Sequence, residues 1–151
     1  MTLRPLICPL DVVVEAVPAG ARVLDVGCGA GLVLRWLVHG RGAAGGVGVD
    51  TSPRAVAAAR ACAAPGEPLR FEAVAPEDPW PAEGADVVTL IDVLHHVPPT
   101  GQRAFVARLR ETGAGLALVK DVDPRPRWKR WANALHDFLM TRSRVQPRAL
   151  A

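Results

Sequence analysis

A glycine-rich turn directly after a short apolar strand is the feature that most limits how this chain can fold. Positions 23–31 read VLDVGCGAG, so glycine stands at alternate positions. Glycine adopts backbone angles that other residues avoid, and it lets a ligand approach the main chain where a Cβ atom would block it. The amides at the start of the helix that follows would then face that ligand. We therefore predict a strand, a ligand-binding turn and a helix in succession.

Short apolar runs alternate with helical patterns along most of the chain, which is typical of βαβ units that build a parallel sheet. The predicted strands cover 22–26, 46–50, about 69–74, 86–91 and 116–119. The predicted helices cover 10–17, 32 to about 40, 54–62, about 100–111 and a segment that begins after Pro126. Ser52 and Pro53 form a hydroxyl cap and a first-turn proline, a pair that starts a helix. These patterns indicate an α/β fold.

The chain has the length and composition of one globular domain, which we take to be residues 1–151. Half of its 151 residues are apolar and 22% are charged, a balance that argues against intrinsic disorder. Three cysteines at unrelated spacings fit neither a disulfide framework nor a metal site, so we predict no metal. No apolar run approaches the roughly 20 residues that span a membrane, and no signal peptide pattern is present. We expect a cytoplasmic protein without a membrane span.

Positive charge is concentrated near the C-terminal end of the sequence. The net charge is +3, but residues 1–119 carry −2 and residues 120–151 carry +5. A basic segment can attract nucleic acid, anionic lipid or a phosphorylated substrate, although a solvated helix face is its commoner role. Residues 141–151 have no strand pattern, and we predict a flexible tail there.

Two acidic residues lie near the glycine turn in the predicted sheet. Asp25 stands two residues before the first glycine, and Asp50 ends the second predicted strand. A carboxylate at the carboxyl end of strand two can accept hydrogen bonds from both hydroxyls of a ribose. The dinucleotide fingerprint G-x-G-x-x-G would require glycine at the position of Leu32. That departure, together with the absence of tyrosine from the sequence, disfavours a nicotinamide-dependent oxidoreductase.

With this turn, the chain resembles the class I S-adenosylmethionine-dependent methyltransferases over about residues 10–140. The resemblance implies an open, mostly parallel Rossmann-like sheet in the order 3-2-1-4-5, with helices on both faces. It also implies S-adenosylmethionine as the cofactor, lined by the three glycines, with Asp25 at its amino-acid end and Asp50 at its ribose. The predicted cofactor-binding residues are Asp25, Gly27, Cys28, Gly29, Gly31, Asp50, Thr51, Glu77, Asp78 and Asp92.

Acidic residues also follow the third predicted strand, where members of this family often hold the adenine amino group. Glu77 and Asp78 are candidates for that contact, and Trp80 is a candidate to flank the adenine ring. A plain acidic loop would have the same sequence pattern, so both interpretations stay open.

The segment DVLHHVP at positions 92–98 follows strand four and is similar to the corresponding segment of methyltransferases that act on small molecules or lipids. His95 or His96 is predicted to be the base that takes a proton from a hydroxyl acceptor, because an imidazole with a pKa of about 6.5 is largely neutral at pH 7. Either histidine could instead pack the next helix or bond to the backbone. Asp92 is expected beside the cofactor, where a carboxylate offsets the sulfonium charge.

Further charged residues follow strand five. Ligands of open α/β sheets bind outside the carboxyl ends of the strands. We therefore predict that Lys120, Asp121 and Arg125 contact the substrate, with solvated loop charges as the alternative.

The resemblance implies seven strands, of which the last two form a hairpin beside strand five, whereas the pattern here provides five. Strand five would then be an exposed apolar edge, which natural proteins usually cover. Three explanations are open: a shortened gene product, a truncated chain, or an edge covered by the last helix or by a second copy in a homodimer.

We therefore predict S-adenosylmethionine-dependent methyl transfer to a small-molecule or lipid-like acceptor. The alternative is a truncated, non-catalytic protein that binds S-adenosylmethionine or a partner. A nucleic-acid acceptor is not expected, because the segment after strand four lacks the Asn- or Asp-Pro-Pro-aromatic motif of many amino-group methylating enzymes.

Overall fold

A computed structural model of the chain describes residues 10–121, and the structural statements that follow concern these residues. Helices and strands alternate along most of them, as the sequence predicts, and only the strands Leu69–Ala73 and Val87–Ile91 follow each other without a helix between them. The helices are α1 (Leu10–Ala16), α2 (Leu32–Arg41), α3 (Pro53–Cys62) and α4 (Pro99–Glu111), and a short 3₁₀ turn covers Leu94–His96. The strands are β1 (Arg22–Val26), β2 (Gly45–Asp50), β3 (Leu69–Ala73), β4 (Val87–Ile91) and β5 (Leu116–Lys120). The helix predicted after Pro126, the predicted tail at 141–151 and Arg125 lie outside the described residues.

The five strands form one parallel sheet in the order β3-β2-β1-β4-β5, which confirms the predicted architecture. In a parallel sheet the carboxyl ends of all strands lie at the same end of the sheet, so the turns after the strands come together there. The register sets Asp25 of β1 between Gly48 of β2 and Thr89 of β4.

Helices pack on both faces of this sheet and bury its apolar side chains. On one face, Val23 of β1 shares a core cluster with residues of α1, α2 and α3, including Leu34 and Val56. On the other face, Leu24 shares a cluster with Leu109 of α4. Strand β1 is covered on both sides, so its alternate residues face two separate apolar layers. The glycine turn therefore begins at the end of a buried central strand.

The ends of these helices follow the predicted chemistry. The Ser52 hydroxyl accepts a hydrogen bond from the Ala55 N–H at 3.3 Å, and Pro53 is the first residue of α3. The glycines from Gly40 onward predict the end of α2, and the helix ends after Arg41 at Gly42, which has a φ of 70°. The end therefore falls at the glycine that adopts the left-handed conformation, the usual way to terminate a helix.

Strand β5 pairs with β4 and forms one edge of the described sheet. Val119 on this strand is 46% exposed. Pairing of two copies along this edge stays a prediction. Between residues 10 and 121, no helix combines the length and apolar character needed to cross a membrane.

Candidate functional site

The glycine turn after β1 wraps over the carboxyl end of β2. The N–H groups of Gly27 and Cys28 both donate to the Val49 carbonyl, at 2.8 and 3.0 Å. The φ values are positive at all three glycines of the turn: 78° at Gly27, 55° at Gly29 and 76° at Gly31. Residues with a Cβ atom rarely adopt this conformation. The turn therefore requires glycine for its backbone angles at all three positions.

The space around the three glycines differs. A Cβ atom on Gly27 would collide with the Val93 side chain, and one on Gly31 would lie 2.7 Å from the Phe71 ring. A Cβ atom on Gly29 would meet nothing within 4 Å. The expectation that glycine leaves room for a ligand therefore applies at Gly29, whereas the other two glycines leave room for the protein's own side chains.

Asp25 lies beneath this turn, in the middle of the sheet, with 2% of its surface exposed. Its Oδ1 atom accepts a hydrogen bond of 2.7 Å from the Thr89 hydroxyl of β4. Its Oδ2 atom is buried and accepts no hydrogen bond from the described residues. Burial raises the pKa of Asp25 to about 6, the hydrogen bond from Thr89 opposes that rise, and the negative charge of Asp50 adds to it.

Asp50 is held at the end of β2 by two backbone groups. Its Oδ2 atom accepts a hydrogen bond from the Gly29 N–H at 2.9 Å, and its Oδ1 atom accepts one from the Ser52 N–H at 2.8 Å. A carboxylate has about four lone-pair positions, so two further hydrogen bonds can still form. The turn and the end of β2 are thereby joined, and Asp50 keeps acceptor capacity for a ligand.

Two other predicted cofactor residues stand beside these groups. Cys28 is buried in the core cluster on the α2 face, and burial raises the pKa of its thiol above the ordinary range. The thiol therefore stays protonated and uncharged at neutral pH. Thr51 is exposed between Asp50 and the start of α3.

The loop after β3 is fixed by Arg108 of α4. The Arg108 guanidinium donates to the carbonyl groups of Pro76 and Asp78 and lies 4.2 Å from the centre of the Trp80 ring. The Trp80 ring packs edge-on against Phe105, with 5.3 Å between ring centres. The predicted adenine neighbour Trp80 is therefore packed on α4.

The two predicted adenine acids lie in this same loop, and both are exposed. Glu77 also lines a surface groove of about 280 Å³ with residues of α4. The adenine contact predicted for Glu77 or Asp78 stays a prediction.

A second group of charged residues joins the carboxyl ends of β4 and β5. The Lys120 ammonium donates to the Asp92 carboxylate at 2.6 Å, and the Asp92 N–H donates to the Lys120 carbonyl at 2.8 Å. Asp92 has a φ of 55°, a left-handed conformation that is uncommon for a residue with a side chain. Such strained residues concentrate at functional sites, so this conformation marks the end of β4 as a place of interest.

His95 lies in the 3₁₀ turn that comes after Asp92, and it pairs with Asp121, the residue that follows β5. Its Nδ1 atom lies 2.7 Å from Oδ1 of Asp121, and each side chain is about one-fifth exposed, at 22% and 21%. An ionised carboxylate can only accept, so Nδ1 carries a proton, and in the neutral ring the lone pair lies on Nε2, which is a buried atom. This arrangement can act as a base. His96 is exposed, and the centre of its ring lies 4.0 Å from that of His95.

The structure thus brings the predicted residues together in two neighbouring groups. One group consists of the glycine turn with Asp25 and Asp50, and the other consists of Asp92, His95, Lys120 and Asp121. Val93 connects them, since its side chain lies against Gly27. Substrate contact by Lys120 and Asp121 stays a prediction, and both are engaged by Asp92 and His95. Within residues 10–121, no group of three or more His, Cys, Asp or Glu residues is arranged to hold a metal ion.

Thr89 was not among the predicted site residues. It contacts Asp25 from a neighbouring strand that lies 64 residues away in sequence. The only sequence signal is a hydroxyl residue within the apolar run 87–91, and that signal is weak because threonine is common in strands for its branched shape.

The sequence family described as a methyltransferase domain matches residues 7–150. The ubiquinone biosynthesis O-methyltransferase of Bradyrhizobium sp. (strain ORS 278) is 34% identical over 120 residues, which cover 78% of this chain and 45% of that protein. The protein of the same name from Thiobacillus denitrificans is 40% identical over 99 residues, with 63% of this chain and 42% of that protein covered. The chain therefore spans less than half the length of these curated relatives.

Solved structures of the same kind share the fold. The magnesium protoporphyrin IX methyltransferase of Synechocystis PCC 6803, solved with bound S-adenosylmethionine, is 27% identical with a TM-score of 0.57, and 74% of this chain and 56% of that chain are covered. An S-adenosylmethionine-dependent methyltransferase from Mesorhizobium loti is 26% identical with a TM-score of 0.56, and 68% of this chain and 47% of that chain are covered.

Proposed function

Because this chain belongs to the methyltransferase-domain family and takes S-adenosylmethionine as its cofactor, we propose that it methylates a hydroxyl oxygen of a small-molecule acceptor, with His95 as the base. The observation that carries this proposal is the 2.7 Å hydrogen bond between Asp121 and His95, which stands two residues after Val93, whose side chain lies against Gly27. The curated relatives act in ubiquinone biosynthesis as O-methyltransferases, which supports a hydroxyl acceptor of the ubiquinone-precursor class.

The residues at the glycine turn fit S-adenosylmethionine on chemical grounds. Asp25 has a buried carboxylate oxygen without a partner in the described chain, which suits the ammonium group of the amino-acid end. Gly29 borders open space, and Asp50 keeps acceptor capacity for two ribose hydroxyls. When bound, this cofactor supplies a methyl group already activated by a positively charged sulfur.

The role of the chain is to position the acceptor and to receive its proton. His95 accepts the hydroxyl proton at Nε2 as the acceptor oxygen becomes a nucleophile. Asp121 holds the ring through Nδ1 and stabilises the imidazolium that results, because the positive ring then faces a carboxylate at 2.7 Å. The Asp92–Lys120 pair joins the ends of β4 and β5, the two segments from which His95 and Asp121 follow. The proton leaves to water once the methylated product departs.

The first prediction tests His95 by measuring transfer of an isotope-labelled methyl group to a panel of catechol and hydroquinone acceptors. We expect His95→Gln to lower kcat by about 10²- to 10⁴-fold, the usual contribution of a general base, while the affinity for S-adenosylmethionine stays unchanged. Asp121→Asn should give a smaller loss, because the ring keeps a hydrogen-bond partner but loses the charge that stabilises the imidazolium.

His39→Gln is the matched control, because His39 is an exposed histidine of α2 that pairs with Glu67. A larger loss in His96→Gln than in His95→Gln would move the base to His96 and contradict the assignment. Binding of S-adenosylmethionine with no label transfer to any acceptor would favour the non-catalytic alternative.

A further inference from the structure

We propose that Thr89 is a positioning residue for the cofactor: it holds one oxygen of Asp25 so that the other faces the cofactor's ammonium group. The inference rests on the proposed function, in which Asp25 binds the amino-acid end of S-adenosylmethionine. It adds a residue that no cofactor-binding pattern in the sequence includes, and it makes cofactor affinity depend on pH.

The geometry fixes which oxygen is held. Thr89 is fully buried, and its hydroxyl lies 2.7 Å from Oδ1 of Asp25 but 3.5 Å from the Leu24 carbonyl. A hydroxyl has one proton to donate. The Asp25 carboxylate is the stronger acceptor, because it is closer to the hydroxyl and carries a charge. Thr89 therefore donates to Asp25, and this bond sets the orientation of the carboxylate plane.

The other oxygen of Asp25 has no partner in the described part of the chain, and this indicates a ligand. Oδ2 of Asp25 is buried without a hydrogen bond, and no cationic side chain in residues 10–121 forms an ion pair with it. Leaving a buried carboxylate oxygen unpaired is costly, so native proteins rarely keep one without a use. An ammonium group would supply both a donor and a compensating charge.

The surroundings of Asp25 determine its protonation state before the cofactor binds. The groups that face it are the Thr89 hydroxyl, the Asp50 carboxylate and the Cys28 thiol, which burial keeps protonated. Burial raises the pKa of Asp25 to about 6, with Asp50 adding to the rise and Thr89 opposing it. Below that pH the free protein holds a proton on Asp25, and this proton must leave when an ammonium group binds.

The first measurement uses the wild-type chain. Calorimetric titration with S-adenosylmethionine, in buffers of different ionisation enthalpy, should show release of up to one proton at pH 5 and almost none at pH 7. The affinity should fall about tenfold per unit below pH 6, since one proton is lost on binding. It should also fall above about pH 8, where an ordinary α-amino group loses its charge.

The second measurement removes the hydroxyl. Carbon-13 NMR of the Asp25 carboxyl in the cofactor-free protein should show a higher titration midpoint in Thr89→Val than in wild type, because valine keeps the shape but cannot stabilise the ionised carboxylate. At pH 6 the variant should bind S-adenosylmethionine about tenfold more weakly. Thr89→Ser should restore both values, and Ile91→Val on the same strand should change neither.

The outcomes separate the inference from the proposed function. An unchanged Asp25 midpoint in folded Thr89→Val would overturn the inference, whatever the chain methylates. A shifted midpoint with an unchanged affinity profile would also overturn it, because Asp25 would not touch the cofactor. If Thr89→Val does not fold, Thr89→Ala takes its place in both measurements, and an Asp25 midpoint equal to that of wild type in folded Thr89→Ala overturns the inference. No binding of S-adenosylmethionine by folded wild-type chain would overturn the proposed function, and with it the cofactor role of Thr89.

Discussion

At the scale of single residues, Asp50 is fixed in place by its own backbone neighbourhood. Both of its oxygens accept backbone N–H groups, one from the glycine turn and one from the start of α3. A carboxylate already held in this way loses little conformational entropy when a ribose binds, so its hydrogen bonds contribute almost fully to affinity.

We expect Asp50→Ala to weaken the binding of S-adenosylmethionine by about 1.5–3 kcal/mol, the usual contribution of hydrogen bonds to a charged group. Calorimetric titration measures this directly. Asp86→Ala is the matched control, because Asp86 also accepts a backbone N–H, from Arg22 at 2.8 Å, but at the opposite end of the sheet. Equal affinity of wild type and Asp50→Ala would contradict the ribose assignment.

The sequence predicts where the acidic residues stand but not which groups they contact. Asp25 and Asp50 were identified from their places in the turn and at the strand end, because those places depend on neighbouring residues. The partners of Asp25 and His95 lie 64 and 26 residues away in sequence, and only the packing of β4 beside β1 and β5 brings them together. Thr89 therefore resembles an ordinary strand residue in the sequence, and the pairing of Asp121 with His95 cannot be deduced from the sequence either.

At the scale of elements, the strands and helices were predicted to within a few residues, because each has a clear apolar period or a clear cap. The finer detail depends on backbone conformation. The glycines from Gly40 onward predict the end of α2, but only the left-handed conformation of Gly42 shows which of them ends the helix. Close packing between elements is equally hidden from the sequence, and β2 shows this with glycine at positions 45, 46 and 48.

We expect Gly46→Ala to destabilise the fold by about 1–3 kcal/mol or more, the range of overpacked cores. A Cβ atom on Gly46 would collide with the Val23 carbonyl of β1 and lie 3.0 Å from Leu34 of α2. The Val23 carbonyl is a backbone group, so it cannot move without displacing the central strand. Urea unfolding gives the free-energy difference.

Gly115→Ala is the control for this substitution. Gly115 has no positive φ, and an added Cβ atom would come no closer than 3.9 Å to any neighbour. That variant should be neutral or more stable by up to about 1 kcal/mol, because alanine restricts the unfolded chain. A Gly46→Ala protein as stable as Gly115→Ala would show that β1 and α2 can separate to admit a methyl group.

At the scale of the whole molecule, the buried carboxylate of Asp25 links stability to cofactor binding. Its pKa of about 6 lies above its ordinary value of 3.8, so the folded chain holds more protons than the unfolded chain between these values. Stability without cofactor should therefore fall as the pH rises from about 4 to 6, and it should stay low at pH 7. A bound ammonium group would restore the stability that is lost when the buried carboxylate ionises.

We therefore expect opposite effects of Asp25→Asn in the two states of the protein. Without cofactor at pH 7, the variant should be more stable than wild type by about 1–3 kcal/mol, because a neutral amide replaces a buried charge. S-adenosylmethionine at about one hundred times its Kd should stabilise wild type by about 2.7 kcal/mol. For a chain of this length that corresponds to a Tm increase of about 5–10 °C, and the variant should show little of this increase.

Thermal unfolding monitored by circular dichroism, at pH 7 with and without cofactor, measures both effects, and NAD serves as the ligand control. Equal increases in Tm for wild type and Asp25→Asn would show that Asp25 does not contribute to cofactor binding. A Tm increase with NAD would point to dinucleotide binding, which Leu32 in place of the third fingerprint glycine disfavours. A variant less stable than wild type without cofactor would mean that the ionised carboxylate has a compensating partner in the free protein, and the unpaired oxygen would then not be reserved for a ligand.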